Sequence, residues 1–224
     1  MAKRKIIDIQ VQKRRKNRRS IFLDDGSVFG ISEDVLFSIP VQIGDKLTNQ
    51  QLDDISVADY QQKILDVALN LLSYRMRSKA ELMRRLKRKN FNEDGIYAVM
   101  EKLETKGYVD DQKFAQVFAR EKVRRKLIGP MALRSEFSVH GLDPDILEHT
   151  LKKTYDEFPE YTLMDQLLAK RRVPMNKPLD LKEKKNAVNT LRNKGFSWDR
   201  IQEILVKRGN IRLRNLIAYK LMSY

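Results

Sequence analysis

The chain has 224 residues, 42% of them hydrophobic and 33% charged, with a formal charge of +15 and no cysteine. That length allows one or two domains with a real core, and the lack of cysteine excludes disulfide staples, thiolate metal sites and cysteine nucleophiles. No apolar run approaches the length of a bilayer span, and Asp8 and Gln10 break the stretch after the basic N-terminus, so a cytoplasmic protein without membrane attachment is expected.

The charge is unevenly placed. Residues 1–20 carry nine Lys/Arg against one acid, residues 21–66 two against nine, and residues 67–224 thirty-four against twenty. Such a balance attracts polyanions, nucleic acid or an acidic protein surface, through fields that salt screens.

Lys5 to Val11 alternates Ile7, Ile9 and Val11 with polar residues, and Ser20–Leu23 with Val28–Ile31 reads as two more strands joined by a turn at Asp25-Gly26. The prediction is a small three-stranded antiparallel sheet. Lys13, Arg14, Arg15, Lys16, Arg18 and Arg19 then form a basic loop, equally compatible with a solvated tip and with a polyanion contact. Ser32 starts a brief helix through Phe37 that Pro40 stops. Val41 to Gln62 has scattered acids and no long periodicity, and is predicted to be a connector.

From about Tyr60 the chain reads as helix. Ile64, Leu65, Ala68, Leu71 and Leu72 form a stripe, Ser78 with Glu81 has capping-box spacing, and Leu82, Met83 and Leu86 recur at steps of three and four. Asn92 opens the next helix over Ile96, Val99, Met100 and Leu103, and Gly107 closes it in a left-handed cap. The pair Asp110, Asp111 opens a third helix whose apolar face is Phe114, Val117 and Phe118; with Tyr108, these two phenylalanines are assigned to core packing.

An internal repeat emerges when Phe91, Leu142 and Phe196 are aligned. Five residues later stand Ile96, Leu147 and Ile201, and nine later Met100, Leu151 and Leu205. Five earlier stand Leu86, Phe137 and Leu191, and nine earlier Leu82, Leu133 and Ala187. Asn90, Gly141 and Gly195 precede the anchors, residue types that cap helices in the left-handed region. Each pair has a lead helix: Gln61 to Arg75, Asp111 to Leu127, and Glu160 to Arg172. The predicted architecture is mostly α, an elongated solenoid of three tandem three-helix repeats with a small N-terminal antiparallel β-sheet. Its expected divisions are 1–58 for the β element and acidic connector, then repeats over 59–109, 110–158 and 159–224, the last ending in a basic helix.

The lead helices end in similar chemistry. Arg75 and Arg77 mark the first, Lys122, Arg124 and Arg125 the second, and Lys170, Arg171 and Arg172 the third. Basic residues stabilise helix C-termini by about 0.3–1 kcal/mol each, which accounts for part of the trend. The rest suggests a basic stripe along one side of the repeats.

No catalytic constellation can be assembled, and no cofactor or metal is expected. His140 and His149 lack a partner spacing for a metal and read as helix-terminal or exposed. The nine glycines are scattered singly, without a phosphate loop. Trp198 reads as a packing residue rather than a base-stacking platform.

The segments ALNLLSYRMRSKAELMRRLKRKNF at Ala68 to Phe91 and VMEKLETKGYVDDQKFAQVFAREK at Val99 to Lys122 resemble the bacterial RecX regulatory family. Arg77, Ser78, Glu81, Leu82, Leu103, Gly107, Tyr108, Asp110, Asp111, Phe114 and Ala115 carry the resemblance over about residues 61–125. In the second repeat Gly129, Arg134, Glu136, Phe137 and Gly141 keep the family's frame, and Val139-His140 replaces its basic end. The resemblance implies a non-enzymatic modulator, expected as a monomer, that lodges in the groove of the RecA filament on single-stranded DNA. It would restrain filament extension, strand exchange, ATP hydrolysis and SOS co-protease activity by capping or disassembly. The basic residues named above would face filament or DNA. A different class, a DNA-binding protein that competes for the strand without sequence preference, remains open beside it.

Overall fold

The computed structural model describes residues 3–210. Its elements are, in order, β1 (Lys3–Gln12), β2 (Arg15–Leu23), β3 (Val28–Ser32), α1 (Glu33–Ser38), β4 (Lys46–Thr48), α2 (Asn49–Tyr74), α3 (Lys79–Lys87), α4 (Glu93–Thr105), α5 (Asp111–Lys126), α6 (Pro130–Phe137), α7 (Pro144–Glu157), α8 (Glu160–Lys170), α9 (Leu181–Asn193) and α10 (Trp198–Lys207). The predicted C-terminal basic helix lies outside the described residues. Among the described residues two compact units result: one holds residues 3–77 with Leu82–Val109, the other Ser78–Glu81 with residues 110–210.

The sheet has four strands rather than the predicted three, in the order β3-β2-β1-β4, all antiparallel. The fourth is short, pairing Lys3, Arg4 and Lys5 with Thr48, Leu47 and Lys46, and three residues carry too little alternation to announce a strand. The expected basic loop is also mostly strand. Only Lys13 and Arg14 form the turn, and β2 begins at Arg15, opposite Gln12, with a register shift beyond Val11. The Asp25-Gly26 turn forms as predicted: Gly26 has φ +81° and its N–H donates to Leu23 O at 3.0 Å.

The predicted connector is instead mostly helix, from Asn49 onward. Thr48 and Gln51 make a reciprocal capping box that starts α2 at Asn49, fifteen residues before its apolar stripe begins at Ile64. The early turns bury Ile55 and carry Leu52 and Ala58 against the sheet core of Ile6, Ile21, Leu23, Ile31, Val35 and Leu47. A carboxylate, Asp59, lies on this buried face, and it interrupts the pattern that would have signalled a helix.

Further along, α2, α3 and α4 enclose Ile64, Ala68, Leu82, Leu86, Ile96, Val99, Met100, Leu103 and Val109. In the second unit α5 to α10 share one core that runs from Ala115 to Leu205. The aligned repeat positions behave alike: Leu86, Phe137 and Leu191 are 0%, 2% and 0% exposed, and Met100, Leu151 and Leu205 are likewise buried. Asn90, Gly141 and Gly195 have φ of +63°, +58° and +81°, the left-handed turns expected before each anchor.

Three packing assignments need correction. Tyr108 is 59% and Val117 48% exposed, whereas Phe114 is buried and Phe118 packs against the core. His140 takes the helix-terminal place expected for it, just past α6, but is buried there, with its ring centroid 4.9 Å from Phe114 and 4.7 Å from Phe118, and Nδ1 is 3.4 Å from Ser78 Oγ. Trp198 sits at the first position of α10 and is 37% exposed, at the rim rather than inside.

Candidate nucleic-acid interface

Of the six basic residues before the hairpin, Lys13, Arg14, Arg15 and Lys16 are exposed at the β1–β2 turn. Arg18 and Arg19 turn back on the fold. Arg18 grips Asp59 and donates to Gly30 O at 3.0 Å, while Arg19 pairs with Glu33 and donates to Lys16 O. Gly30 O and the Ser32 N–H, which donates to Asp59 Oδ1 at 2.8 Å, are backbone groups of edge strand β3 that Arg18 and Asp59 satisfy.

At the end of α2, Arg75 is exposed and donates to Met76 O, whereas Arg77 is buried with Nε donating to Leu71 O at 3.0 Å. Arg77 thus supplies a donor to one of the last carbonyls of α2, which have no partner within the helix.

The end of α5 is the most articulated cluster. Lys122 Nζ lies 2.7 Å from Glu136 Oε2 and 4.8 Å from the Phe118 ring centroid, and Lys126 binds the other oxygen of Glu136. Hydrogen bonds from Lys122 and Lys126 hold the Glu136 carboxyl below its ordinary range. Arg125 is exposed beside Glu121 at 3.8 Å, and Arg124 is exposed with no hydrogen-bond or ion-pair partner among the described residues. At the end of α8, Lys170, Arg171 and Arg172 are all exposed and have no ion-pair partner among the described residues.

Sequence reasoning followed the lead helices and missed the second helices of the repeats. Arg84, Arg85, Lys87, Arg88 and Lys89 are all exposed on or just after α3, and Lys182, Lys185 and Arg192 are exposed on α9. Lys87 is tied to Glu93 at 2.6 Å, and that bond raises its pKa. The signal was present as the run Arg84 to Lys89. The corresponding α6 offers Arg134, paired with Glu148, and Glu136.

Exposed guanidinium and ammonium groups on rigid helix ends can hold phosphates without reading bases. Among the described residues no group of three His, Asp or Glu is placed to hold a metal, and no helix is long and apolar enough to cross a membrane.

Comparison with known proteins finds three matching family descriptions: "Regulatory protein RecX N-terminal domain" over residues 4–48, "RecX, first three-helix domain" over 65–111 and "RecX, second three-helix domain" over 110–151. The Regulatory protein RecX of Listeria welshimeri is 31% identical over 153 residues, which is 68% of this chain and 57% of that relative, so less than two thirds of its length is spanned. That of Bacillus velezensis is 32% identical over 204 residues, 89% of this chain and 76% of the relative. A crystal structure of a regulatory protein RecX superposes with a TM-score of 0.74 at 27% identity, covering 91% of this chain and 99% of the other. The RecX structure from Lactobacillus salivarius gives 0.59 at 26% identity, over 69% of this chain and 99% of its own.

Proposed function

The chain belongs to the RecX regulatory protein family, and on that premise we propose that it binds the RecA filament on single-stranded DNA and inhibits the recombinase without catalysing a reaction. It acts in the cytoplasm, by capping the filament or promoting its disassembly, and so lowers strand exchange, ATP hydrolysis and SOS co-protease activity. The contacting groups are the exposed basic residues at the β1–β2 turn and at the ends of α2, α5 and α8.

The observation that carries this reading is the similarity to RecX proteins through the sheet and the three-helix units alike, over 89% of the chain in one relative. The uncommitted charges support it. Arg124, Lys170, Arg171 and Arg172 are exposed, with no described acid compensating them. The same uncommitted cations favour a second reading, in which the protein competes for the strand directly.

RecA ATP hydrolysis on excess single-stranded DNA, with this protein titrated far below the RecA concentration, separates the two. Loss of hydrolysis at such ratios is the expected result. Loss only when the protein can coat the DNA supports strand competition, and no loss overturns both. Replacing Arg124 and Arg125 by Glu should weaken inhibition with helicity intact; unchanged inhibition removes these two from the contact surface.

A further inference from the structure

Within the second unit, the end of α8, the following loop and one face of α9 line an open cavity of about 580 Å³. That lies inside the range of roughly 300–1,000 Å³ typical of small-molecule sites. Its lining is sorted by chemistry. Leu168, Ala187 and Leu179 supply an apolar floor continuous with the core. Arg171 and Arg172 come from the end of α8, and Asn186, Asn189 and Asn193 from α9, with Lys194 next to Asn193 donating to Lys126 O at 3.0 Å.

The three asparagines recur at steps of three and four, so α9 presents their amides as a ladder. Asparagine is a poor helix former compared with the Lys, Glu or Gln usual on an exposed helix face, and here it gains nothing internally in return. None of the three side-chain amides has a hydrogen-bond partner among the described residues, whereas Thr190 on the same face bonds Asn186 O at 2.8 Å. Glu183, the one acid in the lining, is occupied by the cap of α9, accepting from Asp180 N at 3.0 Å.

The loop wall is also fixed in place. Arg208 and Asn210 are each 2% exposed, and both reach into the loop: Arg208 Nη2 donates to Val173 O at 2.9 Å, and Asn210 Nδ2 donates to Pro174 O and Lys177 O, each at 2.9 Å. Asn176 N returns a bond to Arg208 O at 2.7 Å. Arg208 also pairs with Asp165 of α8, so the loop wall is tied to α8 and to the end of α10 before any ligand arrives, which lowers the ordering cost of binding.

We infer that this cavity binds a nucleoside phosphate, free or as one unit of a single strand, with the base lying on the apolar floor against the amide ladder and the phosphate at Arg171 and Arg172. Side-chain amides match the mixed donor and acceptor edge of a base, and guanidinium groups match phosphate oxygens. This deepens the proposed function, because Arg171 and Arg172 belong to the same candidate interface, and it adds a base-binding element that a purely cationic surface lacks.

The test uses the full chain and two fluorescent probes: 2-aminopurine riboside 5′-monophosphate, and a short oligothymidylate carrying one 2-aminopurine. A saturable change in emission, of either sign, is expected, and Asn186→Ala with Asn189→Ala should weaken the binding it reports about tenfold or more. Alanine on this exposed helical face raises helix propensity, so the variant folds. A saturable change with the free nucleotide assigns the site to free nucleotides as well, and one only within the strand assigns it to a strand unit. No saturable change with either probe, or equal affinity in the variant, overturns the inference. No recombinase is present in this assay, so its failure leaves filament inhibition standing, and failure of inhibition leaves this binding untouched.

Discussion

Arg18 and Asp59, 41 positions apart, are joined at two points, Nη1 to Oδ1 at 3.0 Å and Nη2 to Oδ2 at 2.8 Å. Lys63 reaches Oδ2 as well, at 2.8 Å. Burial pushes the Asp59 carboxyl up, but the hydrogen bonds from Arg18, Lys63 and Ser32 N outweigh it and leave the pKa below the ordinary value. The pair thus fastens α2 to the edge of the sheet.

A carboxyl with a lowered folded pKa contributes stability that is present above its unfolded value, about 3.9, and is lost as pH falls through the folded one. Thermal unfolding followed from about pH 6 to pH 2 should show the sheet unit losing stability in acid, with a shallower loss in Asp59→Asn. Asp59→Ala leaves Arg18, whose side chain is 11% exposed, without its partner and should cost about 3–5 kcal/mol. Equal acid slopes in wild type and Asp59→Asn would remove Asp59 as the titrating group.

Glu136 restrains two lysines of the α5 cluster. Its replacement by Gln should cost at most about 1 kcal/mol of stability, since these groups are partly solvated. If the cluster meets phosphate, affinity for single-stranded DNA rises, and the slope of log K against log salt steepens by about 0.7 for each lysine that gains a phosphate. An unchanged slope would place the cluster off the strand.

Gly195 and Gly107 share a positive φ, yet their substitution should differ widely. A Cβ on Gly195, φ +81°, would stand 2.3 Å from Ala132 N, and one on Gly129 2.5 Å from Gly195 O, where Gly129 N also bonds Lys194 O at 2.7 Å. Gly107, φ +71°, has nothing within 4 Å of such an atom. Alanine at Gly107 should therefore cost about 1–2 kcal/mol, the left-handed penalty alone. At Gly195 overpacking adds about 1–3 kcal/mol more. Denaturant midpoints of the two variants, ranked the other way, would refute the backbone contact between α6 and the end of α9.

The role of the N-terminal element is best tested by deletion, and the fold dictates where. Removal of residues 1–58 cuts through α2 and takes away Ile55, which is 1% exposed. Removal of residues 1–47 spares the helix with its Thr48 cap but leaves Ile55 uncovered and Asp59 without Arg18. Asp59→Asn in the shorter deletion should restore part of the lost stability, measured by circular dichroism on heating. No difference between the two deletions with and without Asp59→Asn would mean that the early turns of α2 are not held by the sheet.

Legibility in the sequence followed the range of the interactions. Leu82, Leu133 and Ala187 could be aligned because helical period and left-handed caps are local, and all three are buried. Tyr108 and Val117 were misplaced because period says which residues share a face and not how far a neighbouring helix covers it. The first turns of α2 were missed because their buried face includes a charge whose partner lies on another strand. For the interface, composition supplied the cations, but only contacts showed that Arg18 and Arg77 are committed inward while Arg124 and Arg171 are not.

The sequence by itself determined the three-helix unit, its repetition, the hairpin and the excess of positive charge, since sterics and hydrophobic period act within a few residues of each position. The tertiary structure alone decided the fourth strand, the burial of His140, the pairing of each cation and the cavity beside the loop that Arg208 and Asn210 tie down. Each of these depends on hydrogen bonds and close packing between groups tens of positions apart, whose strength is set by burial and geometry that no local pattern encodes.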